Sequence, residues 1–356
     1  MAMFPVDPVS VTATWLSDVL GADVRECRLE QIGIGVGLLG RLYRAHLEGG
    51  PDVPKSVVVK FPLLSSQPAR SAVCEDLEFY LREVRFYQEI GLANPLRPAR
   101  PYFAAFDETT HDFVLVLEDL GGLRVADQIV GCSTLDAATV IDAIARHHAY
   151  WWESDHLTSL PWLNTYATPP FPAGVISNFE AAWPRFLEGI GSDLSPAMLA
   201  FGERFTSMVP WFCEQITLRP HTFLHGDLRL DQLFFAVAPD DPPVTALDWQ
   251  ITAKGRGAYD LGYFVSQSMT TDIRRSCEAQ LIERYATRLA ECGIDYPPEE
   301  LQHDYRLTVA LCFAYPVLGF GRIELANDRQ LRLLRTMLDG CVTAIEDHDA
   351  LSLKPD

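Results

Sequence analysis

The feature that most constrains this chain is a change of periodicity at Gly121 and Gly122. Upstream, short apolar runs alternate with loops. Arg28 to Leu47 reads as a glycine-rich hairpin, Ser56 to Phe61 (SVVVKF) as a β-branched strand, and Asp112 to Leu117 (DFVLVL) as another. One helix, Asp76 to Ile90, falls between these two strands and is closed by Gly91. Downstream, apolar residues recur at helical spacing: over Leu135 to Trp152, through Leu281, Tyr285 and Leu289 before Gly293, and through Leu331, Leu334, Leu338, Cys341 and Ile345. The one clear β signal there is a hairpin, Leu233–Val237 and Val244–Leu247, around the turn PDDPP. The simplest architecture is α+β: a small sheet carrying one long helix, a short link and a helical second part.

Charge and cysteines narrow the function classes. A formal net charge of −19 leaves no continuous basic face, which argues against nucleic acid or anionic lipid as partner. The eight cysteines are scattered, with no C-x-x-C pair and no histidine at ligand spacing, as expected of reduced thiols in a cytoplasmic protein. The N-terminus MAMFPVDPVS lacks the basic and apolar regions of a cleaved signal. Leu307 to Phe320, the most apolar segment, is too short to span a bilayer and is expected to form one core helix.

The chemistry concentrates around the downstream hairpin. His225 to Phe235 reads HGDLRLDQLFF, and Ala246 to Gln250, beyond the turn, reads ALDWQ. Asp227 lies in the loop leading into the hairpin and Asp248 ends its returning strand, so closing the hairpin can bring the two carboxylates near each other. Glu83 is a second candidate, because its helical neighbours at three and four residues are Phe79, Tyr80, Phe86 and Tyr87. A carboxylate among aromatics needs a cation, and Lys60 at the end of VVVK is the expected one, with Arg82 and Arg85 as local competitors.

The paired motifs resemble those of the aminoglycoside phosphotransferase superfamily, especially its choline-kinase-like and ecdysteroid-kinase-like small-molecule kinases, over Glu30 to Gly321. The resemblance implies a bilobal protein-kinase-like fold, with a β-rich N-lobe (1–117), a hinge (118–122) and a mainly helical C-lobe (123–356) holding the catalytic loop, the metal-binding strand and the acceptor site. It implies an ATP-dependent phosphotransferase acting on a small-molecule alcohol, with Mg²⁺ or Mn²⁺. Asp227 would be the catalytic base and Asp248 a metal ligand, with Lys60 on the α- and β-phosphates and Glu83 orienting it. Gly33, Gly35 and Gly37 would cover the phosphates or simply form a tight turn, while the backbone of Glu118 to Leu120 would meet adenine. His225 and Asp260 would brace the catalytic loop. Arg229 would neutralise the transferred phosphate, or else serve in a surface ion pair.

Gln232 departs from the family motif H-G-D-x-x-x-x-N, in which an asparagine binds metal. It keeps the amide oxygen on a side chain longer by one methylene, and it motivates the rival reading of a catalytically silent nucleotide-binding protein. A protein kinase fits less well, since H-G-D stands where H-R-D is expected and no A-P-E follows Asp248. His148 reads as a hydrogen-bonded core histidine or a cleft residue. Trp151, Trp152, Trp162, Phe313 and Tyr315 could line a pocket for an apolar alcohol or belong to the core, whereas the acidic chain would suit a cationic aminoglycoside.

Overall fold

The computed structural model describes residues 4–33, 39–67, 70, 75, 77–321 and 328–355. The chain divides into two compact units, Met1–Arg124 and Val125–Asp356.

In the first unit, helix α1 (Ala13–Leu20) precedes strands β1 (Val24–Ile32), β2 (Arg41–Gly49) and β3 (Ser56–Phe61). Helix α2 (Phe79–Glu89) and strands β4 (Pro101–Phe106) and β5 (Phe113–Glu118) follow. The five strands form one antiparallel sheet in the order β1-β2-β3-β5-β4. Strand alternation gives the sheet two different faces. Val57, Val59 and Phe61 join Val114, Val116, Ala45 and Leu16 of α1 in a core on one face, which places Lys60 on the other. Helix α2 starts later than its pattern suggests. Glu78 adopts a left-handed conformation (φ 58°) that helical backbone cannot include, and the turn closes at Ile90 before Gly91 (φ 48°).

The second unit is largely helical: α3 (Thr134–Trp151), α4 (Phe171–Gly189), α5 (Pro196–Ile216), then, after the strands below, α6 (Ala258–Gln267), α7 (Thr271–Glu291), α8 (Pro298–Leu311), α9 (Ala314–Phe320) and α10 (Asp328–Asp347). Between α5 and α6 lie four three-residue strands: β6 (Thr222–Leu224), β7 (Leu233–Phe235), β8 (Val244–Ala246) and β9 (Ala253–Gly255). The expected hairpin is β7 paired antiparallel with β8. A second ribbon, β6 with β9, encloses it in sequence and is too short to show a period of two. The single core helix expected over Leu307 to Phe320 is instead the end of α8 and all of α9. Pro316 has no N–H to return to the Cys312 carbonyl, which accepts from Tyr315 N (3.1 Å) and the Gln267 amide (3.2 Å) instead.

Candidate active site

On the sheet of the first unit, Lys60 Nζ lies 2.7 Å from both carboxylate oxygens of Glu83. The two residues are 7% and 1% exposed, so each charge would be costly without the other. Phe79, Tyr80, Phe86 and Tyr87 are buried around Glu83, as the spacing on α2 requires. Arg85 turns away to Glu89 (3.4 Å) and Glu108 (3.5 Å). Gly40 was not expected to matter, yet a Cβ there would come within 3.0 Å of Lys60 Cε and 3.3 Å of the Phe61 carbonyl. Gly33 is left-handed (φ 68°); Gly35 and Gly37 lie outside the described residues.

The segment Glu118 to Leu120 is anchored by its side chains. Glu118 accepts from Arg97 Nη2 (2.7 Å) and Arg100 N (3.0 Å). Asp119 accepts from Arg44 Nε (2.7 Å), Ser56 Oγ (2.7 Å) and Gly121 N (3.0 Å). Burial works against the Asp119 carboxylate, but these donors outweigh it and hold its pKa below the usual value. Leu120 accepts from Leu123 N through its carbonyl (2.9 Å).

In the second unit, β6 runs into His225, Gly226 and Asp227. Gly226 has φ 88°, and a Cβ there would stand 2.3 Å from both the Ile251 carbonyl oxygen and the Tyr166 hydroxyl, so only glycine fits. Asp260, on α6 and fully buried, accepts from the backbone N–H groups of His225 (2.7 Å) and Gly226 (2.9 Å) and lies 3.2 Å from His148 Nε2. Burial would raise the Asp260 pKa, but His148, His225 and the Gly226 amide together hold it below the ordinary range. His148 is thus a core histidine, its Nδ1 2.8 Å from the Tyr285 hydroxyl. His225 Nε2 meets the Leu247 carbonyl (2.8 Å), which can only accept, so Nε2 carries the proton and Nδ1 receives the Asp227 N–H (3.3 Å). One imidazole therefore ties the H-G-D loop to the residue before Asp248.

Asp227 and Asp248 come together around Gln232, whose Nε2 is 3.3 Å from Asp227 Oδ2 and 3.1 Å from Asp248 Oδ2. Asp248 is left-handed (φ 67°), and its Oδ1 accepts from the Gln250 amide. Asp227 Oδ1 accepts from the Tyr263 hydroxyl at 2.7 Å, with Arg229 Nε 3.5 Å away. Burial, reinforced by Asp248, raises the Asp227 pKa against the pull of Arg229 and Tyr263. Arg229 is only 12% exposed, which removes the surface alternative. It also lies 3.2 Å from Asp231 Oδ2, and although its own burial opposes the charge, the surrounding acids keep it firmly protonated.

The sequence profile of the ecdysteroid kinase-like family matches residues 36–295. The chain belongs to the ecdysteroid kinase-like family. Among curated proteins no sequence matches it significantly. Three solved structures share the fold of this ecdysteroid kinase-like chain. A Ralstonia eutropha JMP134 protein provisionally named an aminoglycoside phosphotransferase is 16% identical, with 95% of this chain and 97% of that one covered at a TM-score of 0.57. A choline kinase from Cryptosporidium parvum Iowa II is 9% identical over 91% and 90% (TM-score 0.56). The choline kinase LicA from Streptococcus pneumoniae is 13% identical over 92% and 96% (TM-score 0.51). The fold is thus protein-kinase-like α+β, and the family and its neighbours are kinase-like phosphotransferases of small molecules.

Several residues at the ecdysteroid kinase-like site escape the sequence pattern. Tyr263 and Gln250 touch the two aspartates, and Asp231 is held by a reciprocal pair of bonds with Gln128, from Gln128 N (3.1 Å) and to Gln128 Oε1 (3.3 Å). Tyr263 had a legible signal, since it falls one helical turn after Asp260. Of the two readings open for the five aromatics, pocket or core, burial favours the core for three of them. Trp151, Trp162 and Phe313 are buried in the core, Phe313 among Phe186, Phe201 and Phe205, and Trp152 packs on Tyr296. Tyr315 reaches the loop, where its hydroxyl donates to the Gly226 carbonyl at 3.2 Å. Among the described residues no helix is long and apolar enough to cross a membrane.

Proposed function

We propose that this chain is a kinase that transfers the γ-phosphate of ATP to a hydroxyl group of a small molecule. The observation that carries the reading is the convergence of Asp227, Arg229, Gln232 and Asp248 on one cluster of the second unit. The acceptor oxygen forms a bond to the γ-phosphorus as the bond to the β-phosphate bridging oxygen breaks, ADP leaves, and the hydroxyl proton passes to Asp227. A base whose pKa is raised by burial holds that proton better than an exposed aspartate would. Arg229 offsets the charge that spreads over the phosphoryl oxygens. Lys60 holds the α- and β-phosphates, kept extended by Glu83, and the glycine-rich stretch carrying Gly33, Gly35 and Gly37 is assigned to cover them. The backbone of Glu118 to Leu120 takes the adenine within the hinge 118–122, with residues 1–117 serving the nucleotide and 123–356 the transfer and the acceptor.

The donor set suits a hard divalent cation. The Asp248 carboxylate and, with its amide turned, the Gln232 oxygen are the kind of ligand that Mg²⁺ or Mn²⁺ takes. Either ion, when bound, neutralises phosphate charge. A second reading, a silent nucleotide binder, is favoured by one feature: the Gln232 amide nitrogen donates to both aspartates and so satisfies them with a neutral group.

Incubating the protein with ATP, Mg²⁺ or Mn²⁺ and a panel of hydroxyl-bearing metabolites, with detection of phosphorylated products by mass spectrometry, separates the two. Product that disappears in Asp227→Asn supports the kinase. Binding of ATP without product from any acceptor, with either metal, supports the silent binder.

A further inference from the structure

The hydrogen bond from Tyr263 to the proposed base belongs to a larger construction. Helix α6 carries Asp260 and Tyr263 one turn apart, and the two hold the same loop in different ways. Asp260 takes the backbone N–H groups of His225 and Gly226, while Tyr263 donates its hydroxyl to the side chain of Asp227 at 2.7 Å. The Tyr263 ring cannot swing aside. It is 1% exposed and stacks on Tyr315 with centroids 4.4 Å apart and planes 10° apart. Tyr315 is held in turn by Tyr259 and by its bond to the Gly226 carbonyl. The two Asp227 oxygens are consequently unequal. Oδ1 has this short bond and Arg229 at 3.5 Å, whereas among the described residues Oδ2 has the longer Gln232 contact at 3.3 Å.

We propose that Tyr263 is a positioning residue of the transfer step: its hydroxyl commits Oδ1 of Asp227 and leaves Oδ2 as the atom that accepts the substrate proton. The role rests on the kinase reading above. A carboxylate turned by one rotamer moves its basic oxygen out of reach of the hydroxyl, and proton transfer requires hydrogen-bond distance. Tyr263→Phe deletes the donor and keeps the stacked ring.

The test compares wild type, Tyr263→Phe, Asp227→Asn and the double variant, with ADP formed from Mg²⁺-ATP as the readout, measured with an acceptor from the alcohol panel and with water alone. Hydrogen bonds to charged groups predict a kcat lower by roughly 10- to 100-fold in Tyr263→Phe, with KM for ATP unchanged within about twofold. In the Asp227→Asn background the same change is expected to cost nothing further, because the oxygen it positions is no longer a base. Unimpaired kcat in Tyr263→Phe overturns the role. So does a loss that multiplies fully with that of Asp227→Asn, or one in which KM for ATP rises in step with the fall in kcat, as a distorted nucleotide site would produce. A wild type that forms no ADP and phosphorylates no alcohol refutes the kinase reading itself, and this role with it.

Discussion

The Lys60–Glu83 pair offers a quantitative test of how the first unit is built. At 2.7 Å and an effective dielectric constant of about 20, two unit charges attract by roughly 6 kcal/mol. Removing two such ions from water costs several kcal/mol each, so the net worth of the pair is small. Deleting one partner is different, because it removes the two 2.7 Å charged bonds from an ion at a site where the residues are 7% and 1% exposed. Lys60→Met and Glu83→Leu should each lose about 3–5 kcal/mol of stability. The double variant, which removes both charges of the pair together and keeps apolar volume, should be no less stable than either single variant. Urea denaturation of the full chain followed by circular dichroism measures this, and ATP affinity should fall in all three. A double variant that loses the sum of the two single effects would refute the argument, since the groups would then be stabilised by separate partners.

Three further outcomes follow from the second unit. Asp227→Asn should retain ATP binding while losing about 10²- to 10⁴-fold in transfer rate, whereas Asp248→Asn should also weaken metal-dependent ATP binding, as titration calorimetry with and without Mg²⁺ can show. Mg²⁺ tolerates displaced ligands poorly, so the wild type should respond unusually well to Mn²⁺, and Gln232→Asn should match or exceed it with Mg²⁺; loss of activity with both metals would mean the site is organised around the longer side chain. Asp260, whose pKa is depressed in the fold, contributes stability that is full above the unfolded carboxyl value of about 3.9 and is lost as pH falls through the folded value. Acid unfolding of Asp260→Asn should accordingly show a shallower pH slope below about pH 5, and an unchanged slope would assign that dependence to other carboxylates.

Residues that act through their immediate neighbours in the chain were legible in the sequence. Glu83 reveals itself because helical spacing surrounds it with four aromatics, and Lys60, at the end of VVVK, as the cation that such a carboxylate needs. The β7–β8 hairpin is equally local, with its turn residues and paired apolar runs all within one short stretch. Hydrophobicity misled where burial alone was visible. Leu307 to Phe320 carries no charge and reads as one helix, yet it breaks at Cys312 and Phe313.

What the sequence determined by itself, then, is residue chemistry and local periodicity: which carboxylates exist, which helix or strand carries each, and that a glycine follows His225. Only the tertiary structure decided which donors those carboxylates receive. Asp119 finds Arg44 across 75 residues, Asp227 finds Tyr263 across 36, and Asp260 finds His148 across 112. The physical reason is range. Helical and strand periods relate residues a few positions apart, whereas a hydrogen bond is specific to within a few tenths of an ångström and is set by how distant elements pack.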